Sequence, residues 1–313
     1  MKLATFTTNG ITRLGALVNE QMIDLNYGYT LLLSEQGVTS PYALADAIVP
    51  ADMNRFLEKG EDALKAAEEV IARVADGEKE GPNGEKIVYA ANDVTLQAPV
   101  PKAGKLVCVG LNYLDHCEET GMDVPKSPVI FSKYSNAIIG PDEEILLPVN
   151  SSEIDYEAEF AFVIGKKAKK VSKEEAMDYV AGYTIINDVS ARDIQLGDGQ
   201  WVRGKSPDTF APMGPVLVTK DEIEDPHKLD IKLTLNGETL QDSNTKNLIF
   251  DITYILSYLS QSMTFEPGDV IATGTPPGVG MSRTPQVWLK PGDEVIVEVE
   301  KVGKLRNTVA ADK

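Results

Sequence analysis

Apolar and polar positions change period several times along the chain, and each change marks an element. Residues 1–26 alternate in short runs, Leu3 to Thr7, Gly15 to Val18 and Met22 to Leu25, separated by Asn9-Gly10 and Asn19-Glu20. Period two between turn dipeptides predicts a strand meander. From Tyr42 to Ala75 the pattern becomes helical, clearest in Leu64, Ala67, Ile71 and Val74, whose spacing puts them on one face suited to docking on a sheet. Asp76 to Lys86, with Gly77, Gly81, Pro82 and Gly84 among charged residues, predicts an exposed loop.

Beyond Ala98-Pro99-Val100-Pro101 the chain turns strand-rich, with runs at Leu106 to Val109, Phe160 to Ile164, Tyr183 to Ile186, Leu229 to Leu235 and Val295 to Val299. Two helices are expected among them. One covers Lys173 to Val180 behind Ser172, and the other covers Phe250 to Ser262, with Ile252, Ile255, Leu256 and Leu259 on one side. The pattern describes a β-dominated α+β fold, divided into a small N-terminal α+β domain over residues 1–100 and a larger domain over residues 101–313. No internal repeat is evident, so solenoids and propellers are not expected.

Composition narrows the classes of partner. At 313 residues, 42% hydrophobic and 25% charged, the chain can bury a sizeable core and is too apolar for general disorder. Lys and Arg number 30 against 48 Asp and Glu, a net charge of −18, with no basic run, so neither nucleic acid nor an anionic membrane is an expected partner. No stretch approaches the ~18 apolar residues of a membrane span, and the first residues lack a signal-type apolar core. Cys108 and Cys117 have no CxxC spacing and no neighbouring histidine pair, which points away from disulfides and zinc and towards a reducing, cytoplasmic setting.

Gly199-Gln200-Trp201-Val202-Arg203-Gly204-Lys205-Ser206 matches the G-x-x-x-x-G-K-[ST] phosphate loop letter for letter. A phosphate loop must open a helix, and Pro207, Pro212 and Pro215 oppose one after Ser206. Lys205 remains of interest as a lone amine able to hold an anionic substrate.

With only His116 and His227 in the chain, any metal must be held mainly by oxygen, which selects hard cations such as Mg²⁺, Mn²⁺ or Ca²⁺. In Asp155-Tyr156-Glu157-Ala158-Glu159-Phe160, period two puts Asp155, Glu157 and Glu159 on one strand face. That alternation suits either a buried cation site or a solvent-facing strand edge. Asp188, at the end of the apolar run Thr184 to Ile186, would supply a third carboxylate. Arg192 and Gln195, one helical turn apart, could hold a substrate carboxylate. His116 has Glu119 at i+3, where a carboxylate orients imidazole and raises its basicity, as a general base requires. His227, in a polar loop beside Pro226, reads as ordinary surface. Thr273-Gly274-Thr275-Pro276-Pro277-Gly278-Val279-Gly280 forms a tight loop after a strand, and Thr275 could offer its hydroxyl to a carboxylate or oxyanion.

Together, Gly110 to Tyr113 with His116 and Glu119, Asp155 to Glu159, Asn187-Asp188 with Ala191-Arg192-Asp193, Gly204-Lys205-Ser206 and Thr273 to Gly280 resemble the fumarylacetoacetate hydrolase family over residues 100–310. The short N-terminal part is similar to that of its bacterial two-domain members. The resemblance implies a mixed β-sandwich or β-roll catalytic domain, usually a homodimer, with Mg²⁺ or Mn²⁺ on Glu157, Glu159 and Asp188. It implies 2-oxo acid or dioxo acid substrates, a His116–Glu119 dyad on a lid-like segment that activates water, substrate contacts from Lys205 and Gln195, and a carboxylate contact from Thr275. The larger animal enzymes place a further aspartate where this chain has Cys108-Val109-Gly110, so three protein carboxylates are expected here. The implied reaction is hydrolysis of a C–C bond in an acylpyruvate-like or fumarylpyruvate-like acid through a cation-stabilised enolate. Oxaloacetate decarboxylation and hydroxydienedioate isomerisation are alternatives at the same centre, and a cation-binding protein without catalysis is a third reading.

Overall fold

The computed structural model describes residues 1–74 and 80–312. Its first strands, Lys2–Thr8, Ile11–Val18 and Gln21–Asp24, form the expected meander. Asn9 and Gly10, and then Asn19 and Glu20, take positive φ at the two turns, the geometry that two-residue hairpins demand. Lys2–Thr8 then pairs antiparallel with Ala211–Thr219, so the meander continues a large sheet built by later residues. In spatial order that sheet runs from Val88–Ala90 through the meander to Ala211–Thr219, Val180–Asn187, Ala158–Ile164, Val270–Ala272, Leu106–Gly110 and the edge strand Val129–Lys133. It passes unbroken across the division expected at residue 100.

A second sheet of five strands contains Asp230–Leu235, Glu294–Val299 and Gly303–Ala311. It packs against the large sheet through Ala158–Ile164 and Val180–Asn187, giving a β-dominated α+β fold with a sandwich at its centre. Every residue of Ala158–Ile164 is buried, which places this strand in the middle of the core.

The helical stretch expected from Tyr42 to Ala75 is three helices, Pro41–Ile48, Met53–Lys59 and Glu61–Val74; Ala75 lies outside the described residues. Pro50 follows the first, Asp52 caps the second by accepting from Arg55 N at 2.9 Å, and Gly60, at φ 64°, ends it. The buried face of the last helix is Ala63, Ala66, Ala67, Val70 and Val74, with Leu64 and Ile71 at its margins. Small residues face inward because a preceding helix, Leu25–Glu35, lies close: a Cβ at Gly28 would meet Val70 Cγ1 at 2.3 Å. That helix escapes the sequence pattern because Asn26, Gly28 and Thr30 interrupt its buried face. Of the loop expected from Asp76 to Lys86, residues 76–79 lie outside the described residues. The remainder closes a tight hairpin with Glu80 bridged to Lys86.

The helix expected at Lys173–Val180 is instead one turn of 3₁₀ helix, Ala176–Tyr179, and Val180 opens a sheet strand. Ser172 instead closes the turn that precedes this 3₁₀ helix, accepting from Glu175 N at 3.3 Å and donating to Glu175 Oε2 at 2.8 Å. Ile252–Ser260 buries Ile252, Ile255, Leu256 and Leu259 as expected. The phosphate-loop look-alike has only the short turn Val202–Lys205, and the chain after Ser206 leads to the strand Ala211–Thr219 rather than a helix. No helix among the described residues is long and apolar enough to cross a membrane.

Candidate active site

Adjacent central strands bring three carboxylates to one place. Glu159 lies on Ala158–Ile164, Glu157 immediately precedes that strand, and Asp188 follows the antiparallel neighbour Val180–Asn187, which pairs Ala158 with Asn187. Glu157, Glu159 and Asp188 each present an oxygen within 4.8 Å of the others, and all three are buried. A solvent-facing strand edge is therefore excluded. Asp155 lies on the separate short strand Ile154–Asp155, outside the triad, and shares Arg192 with Glu157. It accepts from Arg192 Nε at 2.8 Å and from the backbone N of Gly280 at 2.6 Å and Met281 at 3.1 Å.

Charge accounting explains what this cluster needs. Asp155, Glu157, Glu159 and Asp188 are buried together with Lys133, Arg192 and Lys205, so 3 − 4 leaves one negative charge in excess. Lys205 Nζ bridges Glu157 Oε2 at 2.8 Å and Asp188 Oδ2 at 2.9 Å, and Arg192 lies 2.6 Å from Glu157 Oε1. Burial would raise the Glu157 pKa, but Lys205 and Arg192 outweigh it and hold it at about 2. Glu159 has no such partner. Burial, then the charges of Asp188 and Glu157, push its pKa well above the usual range, against the charge of Lys205 and a hydrogen bond from Gly274 N at 2.8 Å. The donor set is all oxygen and buried, and with Glu159 ionised it carries one negative charge that Lys133, Arg192 and Lys205 leave uncompensated. These features fit a hard divalent cation held by Glu157, Glu159 and Asp188.

His116 occupies the short helix Leu114–Thr120, with Nδ1 3.3 Å from Glu119 Oε2. The other oxygen of Glu119 accepts from Gly278 N at 2.9 Å. His116 lines the same cleft as Glu157, Glu159, Arg192, Gln195, Lys205 and Thr275, so the structure brings the residues singled out in the sequence to one cleft, with Asp188 behind Lys205. Arg192 and Gln195 do lie one helical turn apart, on Arg192–Gly197. Arg192 Nη1 donates to Gln195 Oε1 at 3.0 Å, while the rest of its guanidinium is committed to Asp155 and Glu157. Thr275 Oγ1 accepts from Gln241 Nε2 at 2.8 Å, which leaves its hydroxyl proton for a ligand. His227 is not bare surface: its Nε2 accepts from Ile252 N at 3.2 Å and helps start that helix, remote in role from the cleft.

Two residues that build the site, Lys133 and Gln241, gave no signal in the sequence, and Asn187 and Asn112, present there only as part of motifs, prove to brace it. Lys133, fully buried on the edge strand, donates to Asp188 Oδ1 at 2.6 Å and to Val189 O at 2.9 Å. Burial lowers its pKa, opposed by Asp188. Gln241 Oε1 accepts from Ala158 N at 2.8 Å, so one side chain joins the strand of Glu159 to the loop of Thr275. Asn187 Oδ1 accepts from Glu157 N at 3.0 Å, and Asn112 Nδ2 donates to Thr273 O at 2.8 Å.

The strand order, the buried triad and the braced dyad agree with a sequence-family match: residues 105–310 fit the fumarylacetoacetate (FAA) hydrolase C-terminal family. The chain belongs to the fumarylacetoacetate hydrolase family. Among curated members, it is 48% identical to a mitochondrial oxaloacetate tautomerase of Rattus norvegicus over 265 residues, covering 84% of this chain and 81% of the relative. A fumarylacetoacetate hydrolase from psychrophilic Exiguobacterium antarcticum shares 34% identity and superposes with a TM-score of 0.77 over the full length of both chains. A 2-hydroxyhepta-2,4-diene-1,7-dioate isomerase from Mycobacterium marinum shares 32%, with a TM-score of 0.71 over all of this chain and 99% of that one. This family member therefore has relatives named for three different reactions on one architecture.

Proposed function

We propose that this protein is a divalent-cation-dependent enzyme that interconverts the enol and keto forms of a small 2-oxo dicarboxylate, oxaloacetate being the favoured substrate. The observation that carries this reading is the meeting of a buried carboxylate triad and a braced His116–Glu119 dyad in one cleft. The 48% identity to a relative named as an oxaloacetate tautomerase supports oxaloacetate among the substrates the centre suits. Mg²⁺ or Mn²⁺ on Glu157, Glu159 and Asp188 would polarise the 2-oxo group as a Lewis acid and so favour enolate formation.

The remaining roles fall to the chain itself. Lys205, Gln195 and the Thr275 hydroxyl bind and orient the anionic substrate, and Arg192 holds Glu157 in place. Glu119 engages Nδ1 of His116, which leaves Nε2 to accept the enol hydroxyl proton and return it to C3. Glu119 in turn stabilises the imidazolium formed between the two transfers. Residues 101–313 would form the catalytic unit, buttressed by residues 1–100, and the two buried free cysteines suit a reducing compartment.

A second reading, hydrolysis of an acylpyruvate C–C bond, draws on the same dyad, which could equally activate water, and on the likeness to the hydrolase of Exiguobacterium. One experiment separates the readings: loss of the enol ultraviolet band of oxaloacetate and of acetylpyruvate with Mg²⁺ or Mn²⁺ against a chelator control, with products assayed. Accelerated decay of the oxaloacetate band without pyruvate supports the tautomerase. Pyruvate plus acetate from acetylpyruvate would replace it with the hydrolase, and pyruvate from oxaloacetate would replace it with a decarboxylase.

A further inference from the structure

An aromatic wall of Trp201 and Phe131 bounds one side of the cleft. Trp201 sits within the segment that mimics a phosphate loop, and its ring lies on the backbone of Gly110: a Cβ there would meet Trp201 Cζ3 at 2.6 Å and Cη2 at 3.2 Å. The indole meets Phe131 edge-on, with centroids 5.5 Å apart and planes at 67°. Phe131 in turn lies 4.9 Å from Lys205 Nζ, the amine that touches Glu157 and Asp188. The wall thus stands directly beside the carboxylate centre. The same two rings also line a separate hollow on their outer side, together with Val129, Ile130 and Met263. Trp201 and Phe131 are therefore a partition between the reaction cleft and an outer apolar recess.

We propose that Trp201 is the specificity-determining residue of this site, favouring short 2-oxo acids, such as the four-carbon acid of the proposed function, over longer ones by separating the cleft from the outer recess. Gly110 belongs to the device, because any side chain there would displace the indole. This inference rests on the reading of the cleft as a 2-oxo acid site and adds the size class of its substrate. Discrimination by steric exclusion and lost apolar contact amounts to about tenfold or more per methylene. Phe131 keeps its place through packing with Lys205, so the larger aperture should come from the indole.

The test is calorimetric binding, in Mg²⁺, of unbranched 2-oxo dicarboxylic acids of increasing length to the wild type, Trp201→Ala and Trp201→Phe. The wild type should lose about tenfold in affinity for each carbon beyond four. Trp201→Ala should flatten or invert that series, and Trp201→Phe should fall between. A wild type that binds long and short acids alike, or a Trp201→Ala series parallel to the wild type, overturns the gate while leaving the functional reading intact. If Trp201→Ala does not fold, the wild-type and Trp201→Phe series still decide. Binding of no 2-oxo acid by the wild type overturns the functional reading and the gate with it.

Discussion

Gly278 N donates to Glu119 Oε1 at 2.9 Å, tying the glycine-rich loop to the dyad. Two more amides of that loop act likewise, Gly274 on Glu159 and Gly280 on Asp155. Close backbone approach, expected for a ligand, is used here to position three acids of the site. Gly278 has φ 103°, and a Cβ would lie 2.0 Å from Leu240 O, so no other residue holds this geometry without movement. Gly278→Ala should lower kcat by about tenfold by releasing Glu119, with little change in cation affinity. Gly292→Ala, at φ 92° with open space around it, is the control that should leave kcat unchanged. Steady-state kinetics on the two variants checks this.

The proposed function gives His116 proton transfer and not cation binding. His116→Ala should cost about a hundredfold or more in turnover while leaving Mn²⁺ affinity as in the wild type. Parallel kinetic and calorimetric titrations measure both, and a variant retaining most turnover would remove the imidazole from the mechanism.

Lys133 and Asp188 form a fully buried pair. Removing Lys133 leaves Asp188 only Lys205, which Glu157 shares, at a cost of up to about 3 kcal/mol. Lys133→Met should show that loss in urea unfolding of the cation-free protein, and added Mg²⁺ should recover part of it by supplying Asp188 with a counter-charge.

The pH dependence of cation binding follows from Glu159, whose pKa burial, Asp188 and Glu157 raise well above the usual value. A raised carboxyl is protonated over a wider range, so the cation must displace that proton to bind. Affinity should therefore fall as pH falls, with proton release on binding. Calorimetry in buffers of different ionisation enthalpy measures that release, and Glu159→Gln should abolish it.

Much of this was legible in the sequence for definite reasons. The strands that carry the triad are runs of Phe, Ile and Val, and the acids beside them keep their spacing whatever the packing. Lys133 was not legible, because a lysine at the end of a strand reads as solvated until Asp188, 55 positions away, is brought beside it. Period two groups Asp155 with Glu157, and both reach Arg192, but it does not show that the backbone amides of Gly280 and Met281 hold Asp155 outside the triad. The helix Leu25–Glu35 was hidden by a buried glycine that only the partner residue Val70 explains. Trp201 carried no directional signal at all: its place on Gly110 is a contact between distant segments.

The central claim, that Glu157, Glu159 and Asp188 together hold one functional cation, is tested most directly by titrating Mn²⁺ into the wild type, Glu159→Gln and Asp188→Asn and following bound ion by electron paramagnetic resonance. One ion per chain in the wild type, with affinity reduced at least about tenfold in each variant, is the predicted result. Mn²⁺ binding of unchanged stoichiometry and affinity in both variants would contradict it.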